Sequence, residues 1–251
     1  MNETKFDGMG KIYDKFRPTY PQTFIKYLRS DVGVCKKSTV ADIGSGTGIL
    51  TRQLLEICKN VIAVEPNSDM RVVAEENLNN FVNFTSVNGT AENTTLGSKS
   101  VDFITVAQAF HWFDRVKFKA ECDRILIPKG KVILVWNRRD DNAESVKDCD
   151  VVSKKYCPNF KGFGGGMRGE EKENDFTDFF RGKYEIMSFQ NDLTFDLEGF
   201  IGRTLSGSYA LKENDDNYSE FILELTHCFN EHAVGGHIIM PNFTECYIGT
   251  V

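Results

Sequence analysis

The stretch "ADIGSGTGIL", residues 41–50, decides the predicted fold. It joins a short apolar run to the start of a predicted helix, and its glycines Gly44, Gly46 and Gly48 alternate with polar residues. A glycine-rich turn from a strand into a helix lets the backbone approach a ligand closely and points free N–H groups at it. The turn therefore predicts a site for a ligand with polar or negative groups, although the same spacing also occurs in tight turns for local reasons.

Short apolar runs alternate with helical patterns between residues 38 and 137, which is typical of a parallel sheet with crossover helices. The runs are "TVADI" (39–43), "VIAVE" (61–65), "VNFTSV" (82–87), "VDFITVA" (101–107) and "KVILVW" (131–136). Two later runs, at 183–189 and 237–251, can complete the sheet, with an amphipathic helix from Tyr218 to Phe229 between them. The sequence predicts an α/β fold with a seven-stranded, mostly parallel sheet, helices on both faces, and an inserted cap or lid.

A change in composition after Trp136 predicts that the chain is divided into three parts. Residues 1–137 form an N-terminal arm and a cofactor-binding core, and residues 183–251 supply the C-terminal strands and helix that complete the sheet. Residues 138–182 are polar and charged, with glycines at positions 162, 164, 165 and 166. This insertion is either an ordered lid or a flexible surface loop.

The overall composition excludes several classes of protein. A formal net charge of −6 disfavours binding to a long phosphate backbone, so no nucleic acid partner is expected. The seven cysteines include no CxxC pair, and the histidines at 227, 232 and 237 do not share a helix face, so neither a disulfide framework nor a metal site is expected. Without a signal-peptide pattern or a run of about 18 apolar residues, we expect a soluble, cytoplasmic protein with no membrane partner.

An acidic residue strengthens the interpretation of the glycine turn. Glu65 closes the second apolar run about twenty residues after the turn, the distance at which an acidic side chain reaches the hydroxyls of a ribose. The combination predicts a nucleoside cofactor, and two candidates compete. A dinucleotide site prefers GxGxxG, but Ile49 stands where the third glycine would be. The other candidate is S-adenosyl-L-methionine.

Four segments, in order, resemble the class I S-adenosylmethionine-dependent methyltransferases, in particular the methyltransferase type 11 domain. They are "DIGSGTG" (42–48), "VEPN" (64–67), "GTAENTTL" (89–96) and "VDFITVAQAFHWFD" (101–114). The part "AQAFHWFD" is also similar to the trans-aconitate methyltransferase group of this small-molecule branch. The resemblance implies a Rossmann-like fold, S-adenosyl-L-methionine as cofactor with S-adenosyl-L-homocysteine as product, and a small-molecule acceptor such as a carboxylate or hydroxyl.

The same resemblance assigns roles to individual positions. It implies that the glycine turn lines the methionine and ribose part of the cofactor, that Glu65 holds the ribose hydroxyls, and that an N-terminal pair lies near the methionine carboxylate. The implied cofactor-binding residues are Tyr13, Arg17, Asp42, Gly44, Ser45, Gly46, Gly48, Glu65, Pro66, Ala91, Glu92 and Gln108. Asp42 is expected to anchor either the turn or the cofactor's amino group.

His111 and Trp112 are the predicted catalytic residues. Together with Phe113 they either wall the methyl-transfer chamber or form an aromatic cluster that seals the core beneath a loop. A methyl transfer needs an acceptor held near attack distance in a dry pocket, and a base is optional. His111 is the only titratable candidate base within the motifs if the acceptor carries a proton.

Specificity for the acceptor is expected outside the cofactor motifs. The segment "FIGRTLSGSYA" (200–210) resembles one that closes the acceptor site in this branch, where Arg203, Ser206 and Tyr209 could bind an acidic or polar substrate. Two other functions stay open: a protein that binds the cofactor without turnover, and an NAD-dependent oxidoreductase. Ile49 and the roughly forty residues before the first strand disfavour the oxidoreductase.

Overall fold

A parallel sheet forms the centre of the computed structural model, which describes Gly8 and residues 10–163, 176–207 and 209–251. The strands are β1 Thr39–Ile43, β2 Asn60–Val64, β3 Phe84–Val87, β4 Val101–Ala107, β5 Leu126–Arg139, β6 Glu185–Gln190, β7 Leu193–Phe195, β8 Ile238–Met240 and β9 Asn242–Gly249. The helices are α1 Gly10–Phe16, α2 Gln22–Tyr27, α3 Ile49–Leu55, α4 Ser68–Leu78, α5 Arg115–Ile125, α6 Glu144–Tyr156, α7 Leu197–Leu205 and α8 Tyr218–His232. Short helical turns cover Leu28–Val32 and Phe110–Trp112.

The strand order of the main sheet is β3-β2-β1-β4-β5-β9-β6. Strands β1 to β5 pair in parallel, whereas β9 pairs antiparallel with both β5 and β6. The chain winds outward from β1 to β3 and then returns to place β4 on the other side of β1. Ligands of open α/β sheets bind at the carboxyl ends of the strands where the order reverses in this way. The observed sheet confirms the predicted Rossmann-like α/β fold and places the glycine turn at this reversal.

The sheet is buried on both faces, and β5 shows how its sequence achieves this. Val132, Leu134 and Trp136 contact the core on one face, and Ile133 and Val135 contact the core on the other. A strand covered on both faces reads as a continuous apolar run because successive side chains point to opposite sides. The run "KVILVW" has this character, which explains why its position was predictable.

Strand β5 begins earlier than predicted, at Leu126. The segment "IPKGK" (127–131), which includes the first residue of the predicted strand, is an irregularity inside a longer strand. Its register with β4 jumps from Val101–Leu126 to Phe103–Lys131, so extra residues of β5 bulge out of the ladder. At Gly130 an added Cβ would lie 2.7 Å from Leu126 and 2.9 Å from the Asp102 carbonyl oxygen, so the bulge requires a glycine.

The predicted strand at 237–251 is two strands that belong to different sheets. Pro241 separates β8 from β9, because proline has no N–H to donate to a ladder. Strand β9 joins the main sheet, whereas β8 pairs with β7 in a separate two-stranded sheet. The C-terminal segment therefore completes the main sheet with one strand, and the other main-sheet strand from this part of the chain is β6.

A third apolar cluster joins α6, α7 and α8 to the two-stranded sheet β7–β8, and we call these elements the cap. Its centre includes Val146 of α6, Phe200 of α7, and Phe221 and Leu225 of α8. Helix α6 thus gives part of the predicted insertion at 138–182 an ordered structure, while glycines 164, 165 and 166 lie outside the described residues. A lid function for the insertion stays a prediction.

Helix α1 of the N-terminal arm contacts the cap closely. A Cβ added at Gly202 of α7 would lie 2.5 Å from the ring of Phe16, so the arm and α7 pack with no room for a larger residue. Across the ranges that the structure covers, no helix combines the length and the apolar character needed to cross a membrane.

Asp42 joins three elements beneath the glycine turn. Its carboxylate on β1 accepts a hydrogen bond of 2.6 Å from the Thr51 hydroxyl of α3 and one of 2.7 Å from the Thr105 hydroxyl of β4. The residue is buried, and burial raises the pKa of its carboxyl to about 6 against the opposing effect of the two hydroxyl donors. Asp42 therefore anchors the turn to the sheet.

The raised pKa of Asp42 predicts a pH dependence of stability. The folded protein holds a proton on Asp42 that the unfolded chain releases near the ordinary pKa of 3.8, so the free energy of unfolding should fall as pH rises from about 4 to about 6. Asp42→Asn cannot titrate and should remove this fall, which is about 3 kcal/mol in order of magnitude. Urea unfolding at several pH values measures it. If the free energy of unfolding falls equally with pH in Asp42→Asn and in the original protein, the assignment is contradicted.

Candidate active site

A cavity of about 340 Å³ opens at the carboxyl ends of the central strands. Such a volume falls within the roughly 300–1,000 Å³ usual for cofactor sites. The predicted site residues that line it are Tyr13, Gly44, Gly46, Glu65, Pro66, Ala91, Glu92, Gln108 and Trp112. These residues come from five separate segments of the chain, the N-terminal arm and the four quoted motifs, and they meet at one place.

The three glycines of the turn have different surroundings, although all adopt a left-handed backbone. A Cβ on Gly44 would lie 2.7 Å from Ala109, and one on Gly48 would lie 2.7 Å from Leu78 of α4. Gly46 has open space on that side and lines the cavity. Gly44 and Gly46 are thus the cavity glycines, whereas Gly48 does not line the cavity and instead lets α4 pack closely.

Glu65 joins the ends of β1 and β2. Its Oε2 accepts a hydrogen bond of 2.9 Å from the Gly46 N–H, and its Oε1 accepts one of 2.9 Å from the Asn67 N–H. The side chain is only 9% exposed, and burial raises its pKa while these backbone donors oppose the rise. Each carboxylate oxygen keeps a further lone pair. Glu65 can therefore accept hydrogen bonds from two ribose hydroxyls without releasing the turn.

Gln108 holds a strained backbone at the end of β4. Its φ is 59°, a left-handed conformation that is uncommon for a residue with a side chain. Its N–H donates to the Val135 carbonyl at 2.9 Å, and its Nε2 donates to the Asn137 carbonyl at 3.3 Å. Strain of this kind persists where the surroundings hold it, and it is common at ligand sites. Here it turns the chain out of the sheet and along the cavity.

The loops after β3 and β4 are tied together beside the cavity. The Glu92 Oε1 accepts a hydrogen bond of 2.8 Å from the Asp114 N–H, and Asp114 in turn caps α5 by accepting from the Lys117 N–H at 3.2 Å. Ala91 next to Glu92 is buried. This part of the wall is therefore fixed in place by the fold, and the cofactor contact implied for Ala91 and Glu92 stays a prediction.

The aromatic segment after β4 divides between core and cavity. Phe110 is fully buried and packs edge-to-face against Phe179, with ring centroids 4.8 Å apart. Trp112 and Phe113 line the cavity, whereas His111 does not and lies against Trp112 with ring centroids 4.5 Å apart. Phe110 thus belongs to the core, Trp112 and Phe113 face the cavity, and their part in a methyl-transfer chamber stays a prediction.

The other predicted positions lie outside the cavity lining. Arg17 stacks over the Tyr13 ring at 4.5 Å and donates a hydrogen bond of 2.6 Å to the Ser206 carbonyl. Asp42 lies beneath the turn, and Ser45 and Gly48 do not contribute to the lining either. Of the implied pair near the methionine carboxylate, only Tyr13 faces the cavity.

Sequence reasoning missed several lining residues. Thr90 and Asp114 fall inside quoted motifs, so the motif positions were a usable signal for them. Met70 of α4 lines the cavity and is buried. It carries no sequence signal, because its placement depends on how α4 packs.

Comparison with known proteins agrees with this geometry. Residues 41–134 match the family model described as "Methyltransferase domain". An uncharacterized methyltransferase of Mycobacterium tuberculosis is 38% identical over 140 residues, which cover 56% of this chain and 55% of the relative. The chain thus spans about half the length of the curated relatives it matches.

Solved structures share the fold at lower identity. A protein of Anaeromyxobacter dehalogenans, described as a candidate Type II methyltransferase, aligns with a TM-score of 0.64 at 21% identity, covering 94% of this chain and 98% of its own. A SAM dependent methyltransferase from Aquifex aeolicus aligns with a TM-score of 0.52 at 21% identity, covering 69% of this chain and 89% of its own.

The fold and the glycine turn with its acidic partner define an α/β domain that binds a nucleoside cofactor. The family match over the same residues is more specific. Residues 41–134 match the methyltransferase domain family, and this match implies S-adenosyl-L-methionine as the cofactor. The donor set fits that cofactor, since Gly46 leaves bare backbone at the cavity and Glu65 offers two fixed oxygens beside it.

The different surroundings of Gly46 and Gly48 predict that the same substitution mainly lowers cofactor affinity at one position and mainly lowers stability at the other. An alanine at either position is strained by about 1–2 kcal/mol because of the left-handed backbone. Gly46→Ala places a methyl group in the open cavity, so S-adenosylhomocysteine affinity should fall at least about tenfold, or about 1.4 kcal/mol. Gly48→Ala meets Leu78 instead and should lose more stability than affinity. Calorimetry and urea unfolding compare the two, and a larger affinity loss for Gly48→Ala would contradict the assignment.

Proposed function

We propose that this protein transfers the methyl group of S-adenosylmethionine to a small-molecule acceptor, such as a carboxylate or hydroxyl. One observation carries the proposal: a single cavity is lined both by the turn and carboxylate that suit an adenosine, Gly46 and Glu65, and by an aromatic wall, Trp112 and Phe113. A site that only stores a cofactor has no need of an aromatic wall in the same cavity.

When bound, the cofactor supplies a methyl group on a positively charged sulfur, and the acceptor's lone pair bonds to that carbon while the carbon–sulfur electron pair stays on sulfur. The chain's task is to hold the two molecules in line and to exclude water. Glu65 and the backbone of Gly46 fix the adenosine part in this proposal. Trp112 and Phe113 keep the opposite wall dry.

The cavity contains few groups that could remove a proton from an acceptor. Its described titratable lining residues are Tyr13, Glu65, Glu92 and Asp114, and no histidine is among them. Glu65 and Glu92 already accept backbone hydrogen bonds that hold the loops. His111 lies against Trp112 rather than in the lining, so its use as a base requires the segment to move. An acceptor that is already an anion needs no such base.

The trans-aconitate methyltransferase-like branch and the identity of the acceptor stay predictions. The relatives' names support methyl transfer in general, and the small-molecule acceptor rests on the size of the cavity, about 340 Å³.

Glu65 gives the most direct test of cofactor binding. Glu65→Gln keeps one acceptor oxygen but turns an NH₂ group toward a backbone donor, so the affinity for S-adenosylhomocysteine should fall at least about tenfold. Some stability should also be lost, because the turn loses a hydrogen bond. Glu56→Gln, at an exposed position after α3, is the matched control. The measurement is calorimetric titration with S-adenosylmethionine, S-adenosylhomocysteine, NAD and NADP, and preferential binding of NAD or NADP would contradict the proposal.

A substitution of Trp112 tests whether the protein transfers the methyl group or only binds the cofactor. Trp112→Ala removes part of the cavity wall, so release of S-adenosylhomocysteine during turnover with a panel of small acids and alcohols should fall more than cofactor affinity does. Trp136→Ala, in the core, is expected to reduce stability first. If Trp112→Ala lowers binding and turnover by equal factors, the wall has no separate part in the transfer.

A further inference from the structure

Three arginines from distant parts of the chain meet beside the cavity. Arg17 follows α1, Arg139 ends β5, and Arg203 lies on α7. Burial, followed by the charges of Arg17 and Arg139, lowers the pKa of Arg203 well below its ordinary value. Arg203 therefore lies near both other arginines: it shares a cleft with Arg139, and Arg17 binds the Ser206 carbonyl at the end of α7.

None of these arginines is neutralised by the described part of the chain. Arg17 contacts the Ser206 carbonyl and the Tyr13 ring, and Arg139 lies over the Phe163 ring at 3.6 Å. In residues 10–163, 176–207 and 209–251, no carboxylate oxygen forms an ion pair with any of the three. The fold pairs other arginines readily.

The neighbouring residue on β5 shows the contrast. Arg138 lies 2.9 Å from the Glu245 carboxylate, whereas Arg139 has no such partner. A buried charge without a partner is strongly unfavourable, and like charges held together in a shielded place make it more so. The cluster is therefore a feature that a bound anion would stabilise.

Two buried donors without partners point to the same place. The Arg203 Nε and the Asn242 Nδ2 are both shielded from solvent and form no hydrogen bond with any residue that the structure describes, and Asn242 is 3% exposed. Arg139, Arg203 and Asn242 line one cleft of about 10 Å³. Such a volume holds about one water-sized group, for example one oxygen of an acid group. The cleft thus offers fixed donors and a space of matching size.

The cluster is connected to the cofactor cavity through one side chain. Tyr13 lines that cavity, and Arg17 stacks on the Tyr13 ring. Tyr13 also lies within electrostatic range of Arg203, as does Tyr209. Tyr13 therefore lies between the cofactor cavity and Arg17 of the cluster.

We propose that Arg17, Arg139, Arg203 and Asn242 form an oxyanion site that binds the methyl acceptor, and that the acceptor is a small molecule carrying a carboxylate or phosphate group. This inference rests on the proposed function, since it names the class of acceptor for the same reaction. Guanidinium groups suit both kinds of anion because their N–H donors match paired oxygens. The cluster also gives a physical basis to the sequence-based hypothesis that Arg203 and Tyr209 contact an acidic acceptor. Ser206 takes part only through its carbonyl, which accepts a hydrogen bond from Arg17.

The test is thermal unfolding with citrate, succinate or inorganic phosphate, each against sodium chloride at matched ionic strength. An anion that binds only the folded state raises the melting temperature. For the original chain, we expect the melting temperature to rise more in the anion than in chloride. We expect Arg203→Met and Arg139→Met to abolish this difference. A response to citrate or succinate indicates an acceptor with a carboxylate group, and a response to phosphate indicates an acceptor with a phosphate group. By calorimetry, each variant should bind the effective anion at least about tenfold more weakly.

Arg181→Met is the matched control, because Arg181 is exposed and pairs with Asp123 at 2.9 Å. It should keep the full anion effect. Without added anion, Arg203→Met should unfold at an equal or higher temperature than the original chain, because an unpaired charge is removed. An arginine with a purely structural role would instead make the variant less stable and leave the anion effect unchanged, and that result would overturn the proposal, as would an effect no larger than that of chloride.

Titration of the same variants with S-adenosylhomocysteine keeps the two proposals apart. Arg203→Met should bind it within about twofold of the original chain, a difference of about 0.4 kcal/mol. Normal cofactor binding without any anion effect would reject the oxyanion site alone. Absence of cofactor binding in the original chain would reject the proposed function.

Discussion

The two hydrogen bonds that the Glu65 carboxylate accepts from the Gly46 and Asn67 N–H groups are the interaction on which the site depends. A turn of bare glycine backbone is flexible by itself, and a carboxylate at the end of the next strand fixes it. Asp42 does the same from below through Thr51 and Thr105. The cavity is thus shaped between two buried carboxylates, one facing the ligand and one facing the sheet.

The charged side chains of this fold differ in whether the described residues provide them with partners. Asp42, Glu65 and Glu121 each have hydrogen-bond donors in place. Arg17, Arg139 and Arg203 have no acidic partner in the part of the chain that the structure covers. In our proposal these arginines lack acidic partners because the methyl acceptor brings the missing negative charge.

The sequence predicted those features that local pattern determines. The glycine turn, the position of Glu65 and the central strands follow from spacing and apolar runs, and the fold and the family were both confirmed. The different role of Gly48 was not predictable, because it depends on Leu78 of α4, thirty positions later along the chain. The positive φ of Gln108 and the placement of His111 behind the lining likewise depend on tertiary contacts.

Errors and omissions came from long-range pairing. The run at 237–251 was predicted to complete the sheet, and nothing local indicated that β8 would leave the main sheet to pair with β7. The sequence suggested Arg203 as an acceptor contact and Arg17 as a cofactor contact, and it gave no signal for Arg139. Their meeting depends on the packing of α1 against α7 beside the end of β5, which no short window of sequence contains.

A crystal structure of the chain with S-adenosylhomocysteine tests the central claim most directly. The account predicts both ribose hydroxyls at hydrogen-bond distance, about 2.5–3.0 Å, from the Glu65 oxygens, with the Gly46 bond retained and the sulfur directed toward Trp112. A ligand bound with its ribose away from Glu65, or one that displaces Glu65 from Gly46, would contradict it.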